Sequence, residues 1–414
     1  MGFLSDGANN NTITTKTFQV TNITGTSKTY GINVNGDLNV TGNSLQDDSF
    51  EGLYIDNVKG TSSATGLFTA KDSHLNVGRV SIGNISATDA FSNVKGLETG
   101  ALTNVFNGIV CVYKISGNYS IGGINQSNAD GTANYKDSVY VSDVTSENTT
   151  LGGAYGLEIA NETTFEKDLN VDSVSSGNNA YGIRGKSTSS ISAASTSVSD
   201  VSGKTAIGIL STGTSDEAFK VSELASVSGI EGDDTAVAIA VESGKADFGA
   251  VNIFDVKSEN GRIALVSAKD GADVSIGSGL ITHEDFENSY SPSYTGNYAG
   301  NADGVEDNII KSIALRSVGG SKITLGADTS TLAADDTPVD GVFTVVGDIV
   351  AGRGAVDAEA GSIEINGKNG TRICGDVYAG NYGTINITLD GTNSVLEGQV
   401  DDYHELVNED MKDK

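Results

Sequence analysis

A small residue set between two larger apolar ones recurs at a nearly fixed interval, and no other feature restricts the fold as strongly. The seeds Tyr155-Gly156-Leu157, Tyr181-Gly182-Ile183, Ile207-Gly208-Ile209, Val237-Ala238-Ile239 and Ile263-Ala264-Leu265 follow one another at intervals of 26, 26, 30 and 26 along the chain. Ile313-Ala314-Leu315 comes after an interval of 50 and reads as two further repeats. Tyr30-Gly31-Ile32, Thr65-Gly66-Leu67 and Asn107-Gly108-Ile109 carry the seed earlier, at irregular spacing. A second anchor, Val174, Val201, Val227 and Val256, advances by 27, 26 and 29, in step with the first. Around both anchors apolar residues alternate with small or polar ones, which is the period of a strand with one face buried.

A unit of this length with two or three short strands cannot bury its own inner face, but a stack of copies can. The expected fold is all-β: a single-stranded right-handed parallel β-helix with rungs of about 26 residues, roughly 13 to 15 of them. It would span 1–400, with an insertion at 283–308, and be followed by an acidic tail at 401–414. Composition agrees. Two prolines and 53 glycines in 414 residues favour uninterrupted strands joined by tight turns. With no Trp and only 6% aromatics, the core should be Val, Ile, Leu and Ala, as a narrow solenoid interior requires. Cys111 and Cys374 would lie many rungs apart, too far for a disulfide.

Charge removes several function classes. With 54 acidic against 25 basic residues the net charge is −29, and no basic run interrupts it, so neither nucleic acid nor anionic lipid is an expected partner. No stretch approaches the ~20 apolar residues that cross a bilayer. The first ten residues lack the basic and apolar regions of a signal peptide, so an exported protein would carry its signal peptide and anchor outside this chain.

The Thr/Asn/Ser/Gly-rich rungs, such as Gly31-Ile32-Asn33-Val34-Asn35-Gly36-Asp37-Leu38, and the Ala-Tyr-Gly-Leu/Ile signature resemble the passenger regions of autotransporter adhesins. The most specific segment is 383–400, where Thr384-Ile385-Asn386-Ile387-Thr388-Leu389-Asp390-Gly391 leads to Ser394-Val395-Leu396-Glu397-Gly398-Gln399-Val400. It is similar to the last rungs of pertactin-like passengers. Val395 or Leu396 stands where that segment usually has Trp, and no membrane β-barrel sequence follows. The resemblance implies a secreted, cell-surface, non-enzymatic stalk at work in adhesion or cell–cell association. Its partner would be a host or bacterial surface ligand, protein or glycan, or a second copy of the chain.

The rival expectation is a polysaccharide-degrading β-helix enzyme of lyase or tailspike type. Such chemistry needs a general base with cationic help, or two carboxylates a few ångströms apart. The histidines His74, His283 and His404 and the six arginines are scattered, with Arg184 and Arg262 reading as a solvated face. Asp233-Asp234, Asp335-Asp336 and Asp401-Asp402 read as solvated turns. No catalytic residue, cofactor or metal site is therefore expected. One region breaks the repeat: the acidic, aromatic insertion at 283–308 carries Phe286, Tyr290, Tyr294 and Tyr298 beside Pro292 and Gly296. Tyrosines on a loop held by a rigid scaffold make a candidate contact surface. The stretch 119–140 is a weaker second candidate.

Overall fold

The computed structural model describes residues 3–6, 12–43, 45–46, 49–259, 262–283, 312–326, 341–352, 360–380, 382–398 and 400–402. They are all strand and turn, with no helix among them, and the strands stack in parallel as a β-solenoid of about 11 turns with rungs of about 29 residues. Rungs are thus fewer and longer than the spacing of the seeds implies. An interval of 26 holds only between Asn179 and its partners Gly153 and Thr205 and over a few strands beyond. In the middle of the first half, Val80 pairs with Val110, Val110 with Val139 and Val139 with Leu169, steps of 30, 29 and 30. The one antiparallel pair among the described residues is Leu45–Gln46 with Ser49–Phe50.

The chain divides into two compact units, Met1–Phe219 and Lys220–Lys414. In the first, each rung contributes one strand to each of three parallel sheets. The first sheet stacks Lys28–Asn35, Ser63–Thr69, Asn93–Thr99, Ser120–Gln126, Gly153–Ile159 and Asn179–Gly185. A second, of short strands, stacks Asp37–Val40, His74–Val77, Thr103–Phe106 and Thr132–Tyr135. Phe18–Thr24, Leu53–Gly60, Val80–Ala87, Val110–Gly117 and Val139–Ser146 form the third.

Two columns shape these rungs. One is the glycine of the first sheet: Gly66, Gly96, Gly123, Gly156 and Gly182. A Cβ on Gly123 or Gly156 would lie 2.6 Å from the carbonyl oxygen of the next glycine and collide with Val141 or Val171 of the third sheet. Only glycine fits where two sheets approach this closely. Lys95-Gly96-Leu97 and Gly122-Gly123-Ile124 belong to this column. Asn107-Gly108-Ile109 does not, because it connects Thr103–Phe106 to Val110–Gly117.

The other column is left-handed. Asn22, Asn57, Asn84, Lys114, Asp143, Ser173 and Asp200 all have φ between 53° and 59° and occupy one position of the third sheet. Such a residue adds a step to the in–out alternation, so Ile82 and Ile85, or Val141 and Val144, are both buried with two residues between them. Asn and Asp tolerate this conformation best among residues with a side chain. Asn57 Nδ2 donates to Asn22 Oδ1 at 2.6 Å, and Asn84 Nδ2 to Asp56 Oδ1 at 2.6 Å.

The interior is mostly Val, Ile, Leu and Ala, with buried rings at Phe219, Phe248 and Phe343 and one stack of three. Phe106, Tyr135 and Phe165, on successive rungs, stack with centroids 4.4 and 4.7 Å apart. The Tyr135 hydroxyl accepts from Gln126 Nε2 at 2.6 Å, and Gln126 Oε1 accepts from Thr99 Oγ1 at 2.8 Å. Burial pushes the Tyr135 phenol far above its ordinary range.

In the second unit the register differs from the repeat as read in sequence. Val237, not Ala238, pairs with Ala264, and Ala264 pairs with Ile313. The long interval before Ile313-Ala314-Leu315 is therefore a single rung, with no extra strand in that ladder. Val256 pairs with Ile230 rather than Val227. The 383–400 segment forms Thr384–Leu389, Val395–Glu397 and Val400–Asp402, which pair with Ser362–Gly367, Arg372–Cys374 and Val377–Ala379 in turn. The last strand takes in Asp401 and Asp402, the first two residues of the expected tail. Cys111 and Cys374 are both free thiols.

Candidate ligand-contact surface

The expected contact residues Phe286, Tyr290, Tyr294 and Tyr298 lie outside the described residues, as do His404 and the Asp335-Asp336 pair. Within 119–140 the tyrosines divide: Tyr135 is core, Tyr119 packs edge-on against Phe91 at 6.0 Å, and Tyr140 is 44% exposed. Among the described residues no group of three or more His, Cys, Asp or Glu could hold a metal ion. A shallow groove of about 720 Å³ follows the left-handed column past Asp56, Asn84, Lys114 and Asp143. Its Asn84 and Asp56 already bond one another.

The most organised surface is the outer side of the first sheet. At each column glycine the chain turns inward, burying two successive residues, Gly156 and Leu157 for instance. The outward side chains on either side of the bend, Tyr155 and Glu158, then lean toward one another's columns. Register fixes those columns: Lys95, Gly122, Tyr155 and Tyr181 in one, and Glu98, Asn125, Glu158 and Arg184 in the other.

Tyr155 and Tyr181 stack in parallel with centroids 5.3 Å apart. The Arg184 guanidinium reaches across from the second column and sits 5.4 and 5.3 Å from the two rings. Its Nη1 donates to Glu158 Oε2 at 3.3 Å, and Lys186 Nζ meets Glu158 Oε1 at 2.6 Å. Glu158 is only 8% exposed although it points outward. Arg184 keeps a side chain 32% exposed but is held across the tyrosines and tied to Glu158, which goes beyond the solvated face expected from sequence; the inward bend that brings the columns together has no local sequence signature beyond the glycine.

Burial dominates the electrostatics below this stack. It drives the Lys95 ammonium below the usual lysine range, against the opposing pull of Glu158 and Glu98. It raises the Glu98 carboxyl, with Lys95 pulling the other way. Tyr155 is also raised by burial, which outweighs the Arg184 charge. Clustered perturbed groups of this kind mark functional surfaces as well as structural ion networks. Here they line an aromatic and cationic strip on a rigid ladder.

The fold and this strip define a β-solenoid with an organised lateral surface. Comparison with protein-family models, curated proteins and solved structures finds no match to the chain.

Proposed function

We propose that this β-solenoid is a secreted, surface-displayed, non-enzymatic attachment protein of the autotransporter-passenger kind, and that the strip from Lys95 to Lys186 is a contact surface. The observation that carries the reading is Arg184 laid across the Tyr155–Tyr181 stack and tied to Glu158. Tyr and Arg held rigid at partial burial are the residues that dominate binding hot spots, and ordering them in advance removes the entropic cost of fixing them on contact. The resemblance of 383–400 to passenger rungs supports the placement outside the cell.

One feature favours the hydrolase as a second reading. Glu98 and Glu158 stand in one column two rungs apart, about 9.6 Å at strand spacing, near the upper end of the carboxylate separation of inverting glycosidases. Against it, Glu158 is engaged by two cations. Adhesion of the purified chain to glycan- and protein-coated surfaces separates the readings. A Tyr181→Ala, Arg184→Ala variant with an unchanged β spectrum should lose adhesion at least about ten-fold. Undiminished adhesion removes the strip as the contact surface, and release of reducing sugar that disappears in Glu98→Gln replaces attachment by hydrolysis.

A further inference from the structure

The first column of the strip reads Lys95, Gly122, Tyr155, Tyr181 on four successive rungs, and at Gly122 it has no side chain. The atoms nearest to a Cβ built there all belong to the Lys95 side chain, with Cδ at 3.2 Å and Nζ at 3.4 Å. Tyr181 covers one face of the Tyr155 ring; the other face looks along the ladder toward the Gly122 rung. The Lys95 side chain lies over Gly122; rungs repeat at about 4.8 Å, so a ring that displaces this flexible side chain would stack on Tyr155 as Tyr181 does from the opposite side.

The walls of this slot state what kind of ring fits. Asn125 follows Gly122 in the same strand, stands between Glu98 and Glu158 in the second column, and is 6% exposed; its Oδ1 has no hydrogen-bond partner. An unpaired buried acceptor calls for a donor. Lys95 along the floor makes no ion pair among the described residues, whereas Lys186 and Arg184 are both committed to Glu158. Three cations against two carboxylates make this a locally positive spot on a chain of net charge −29.

We propose that the Gly122 slot binds a pyranose ring bearing a carboxylate, a uronic-acid type of sugar. The apolar ring face lies on Tyr155, a hydroxyl donates to Asn125 Oδ1, and the carboxylate meets the Lys95 ammonium. Burial lowers the Lys95 ammonium, and a carboxylate brought beside it would favour its charged form. A neutral sugar would leave Lys95 without its partner, and an aromatic carboxylate would offer Asn125 no donor. The inference rests on the attachment reading above and names its ligand class.

The test compares methyl glucuronide with methyl glucoside, which differ only in the carboxylate, and with benzoate, by NMR titration of the full chain. Methyl glucuronide should bind at least about ten-fold more tightly than either. Gly122→Tyr fills the slot and continues the tyrosine stack, so it should abolish binding while the melting temperature holds or rises. Lys95→Met should bring glucuronide down to the glucoside level; this variant decides the matter if Gly122→Tyr does not fold. Equal binding of glucuronide and glucoside, or binding unchanged by either substitution, overturns the slot. Adhesion that persists in a chain that binds no glucuronide overturns the slot and spares the attachment reading. Glucuronide binding that Gly122→Tyr abolishes, joined to turnover of glucuronide polymers, supports the slot and overturns the non-enzymatic reading.

Discussion

In the first unit the inward corner of the first sheet is glycine on every described rung from Gly31 to Gly208; in the second unit the equivalent position is Ala238, Leu265 and Ala314, all with 0% exposure. The pairing skips this residue in both units, so the corner is the same device. What differs is the room behind it. Val112, Val141, Val171 and Val198 press against the glycines of the first unit, whereas a corner that accepts leucine has space for a whole side chain. The rungs follow suit: steps of 26 to 35 in the first sheet of the first unit give way to steps of 27 and 49 along the corresponding ladder of the second. A tight corner enforces a uniform rung and a roomy one tolerates variation.

The largest test of this contrast exchanges the corners. Gly156→Ala should destabilise the first unit by at least about 3 kcal/mol, since its methyl meets both the Gly182 carbonyl oxygen and the packed Val171 side chain. Ala238→Gly should cost about 1 kcal/mol, for lost methyl burial and a looser unfolded chain. Urea unfolding followed by far-UV dichroism measures both, and equal costs would break the comparison.

Next in size is the polar knot of the first unit. Tyr135→Phe keeps the ring stack with Phe106 and Phe165 but removes the partner of the buried Gln126 Nε2. The expected loss is about 1–3 kcal/mol. A neutral result would mean that Gln126 finds another acceptor.

The left-handed column gives a smaller, two-signed effect. Lys114 sits at φ 56° in the first unit, and Gly229 at φ 62° in the second. Lys114→Gly should stabilise by about 0.5–1 kcal/mol, and Gly229→Ala should destabilise by about 1 kcal/mol. Thermal melts of the two variants should therefore move in opposite directions.

The smallest effect is that of pH. Glu98 is raised in the folded chain, so its contribution is fully present below the ordinary carboxylate range, near about 4.3, and is lost as pH rises through its folded value. Asp137, held low chiefly by the hydrogen bond from Lys167, runs the other way and loses its contribution on acidification. Lys95, lowered by burial, contributes only above the usual lysine range. Melting wild type and Glu98→Gln in parallel from pH 7 to about 4.5 isolates the first group: wild type should gain up to about 1 kcal/mol that the variant lacks.

Much of this is legible in the sequence, and the misses have physical causes. Strand alternation around Gly156, Gly182 and Gly208 points to the solenoid, because a buried inner face imposes a period of two. The left-handed column escapes a search for simple alternation although it has a signal, apolar-x-(Asn/Asp)-apolar, as in Ile55-Asp56-Asn57-Val58 and Val198-Ser199-Asp200-Val201. The second-unit register slips by one in a reading keyed to small residues, because Leu265, not the smaller Ala264, occupies the corner there. The role of Arg184 is hidden since stacking on tyrosines of the neighbouring column depends on the bend at Gly156 and Gly182, which local pattern does not report.

The glycine column and the contact strip both depend on the register of the first unit. Ser63, Asn93, Ser120, Gly153 and Asn179 are successive partners in one column, so Ser63 and Asn179 should stand four rungs apart, about 19 Å at about 4.8 Å per rung. Spin labels at Ser63→Cys and Asn179→Cys, in a chain with Cys111→Ala and Cys374→Ala, measure that distance by double electron–electron resonance. A narrow distribution at about 20 Å, four strand spacings with allowance for the label arms, is the predicted result. A broad distribution, or a mean twice that length, would contradict the stacked register.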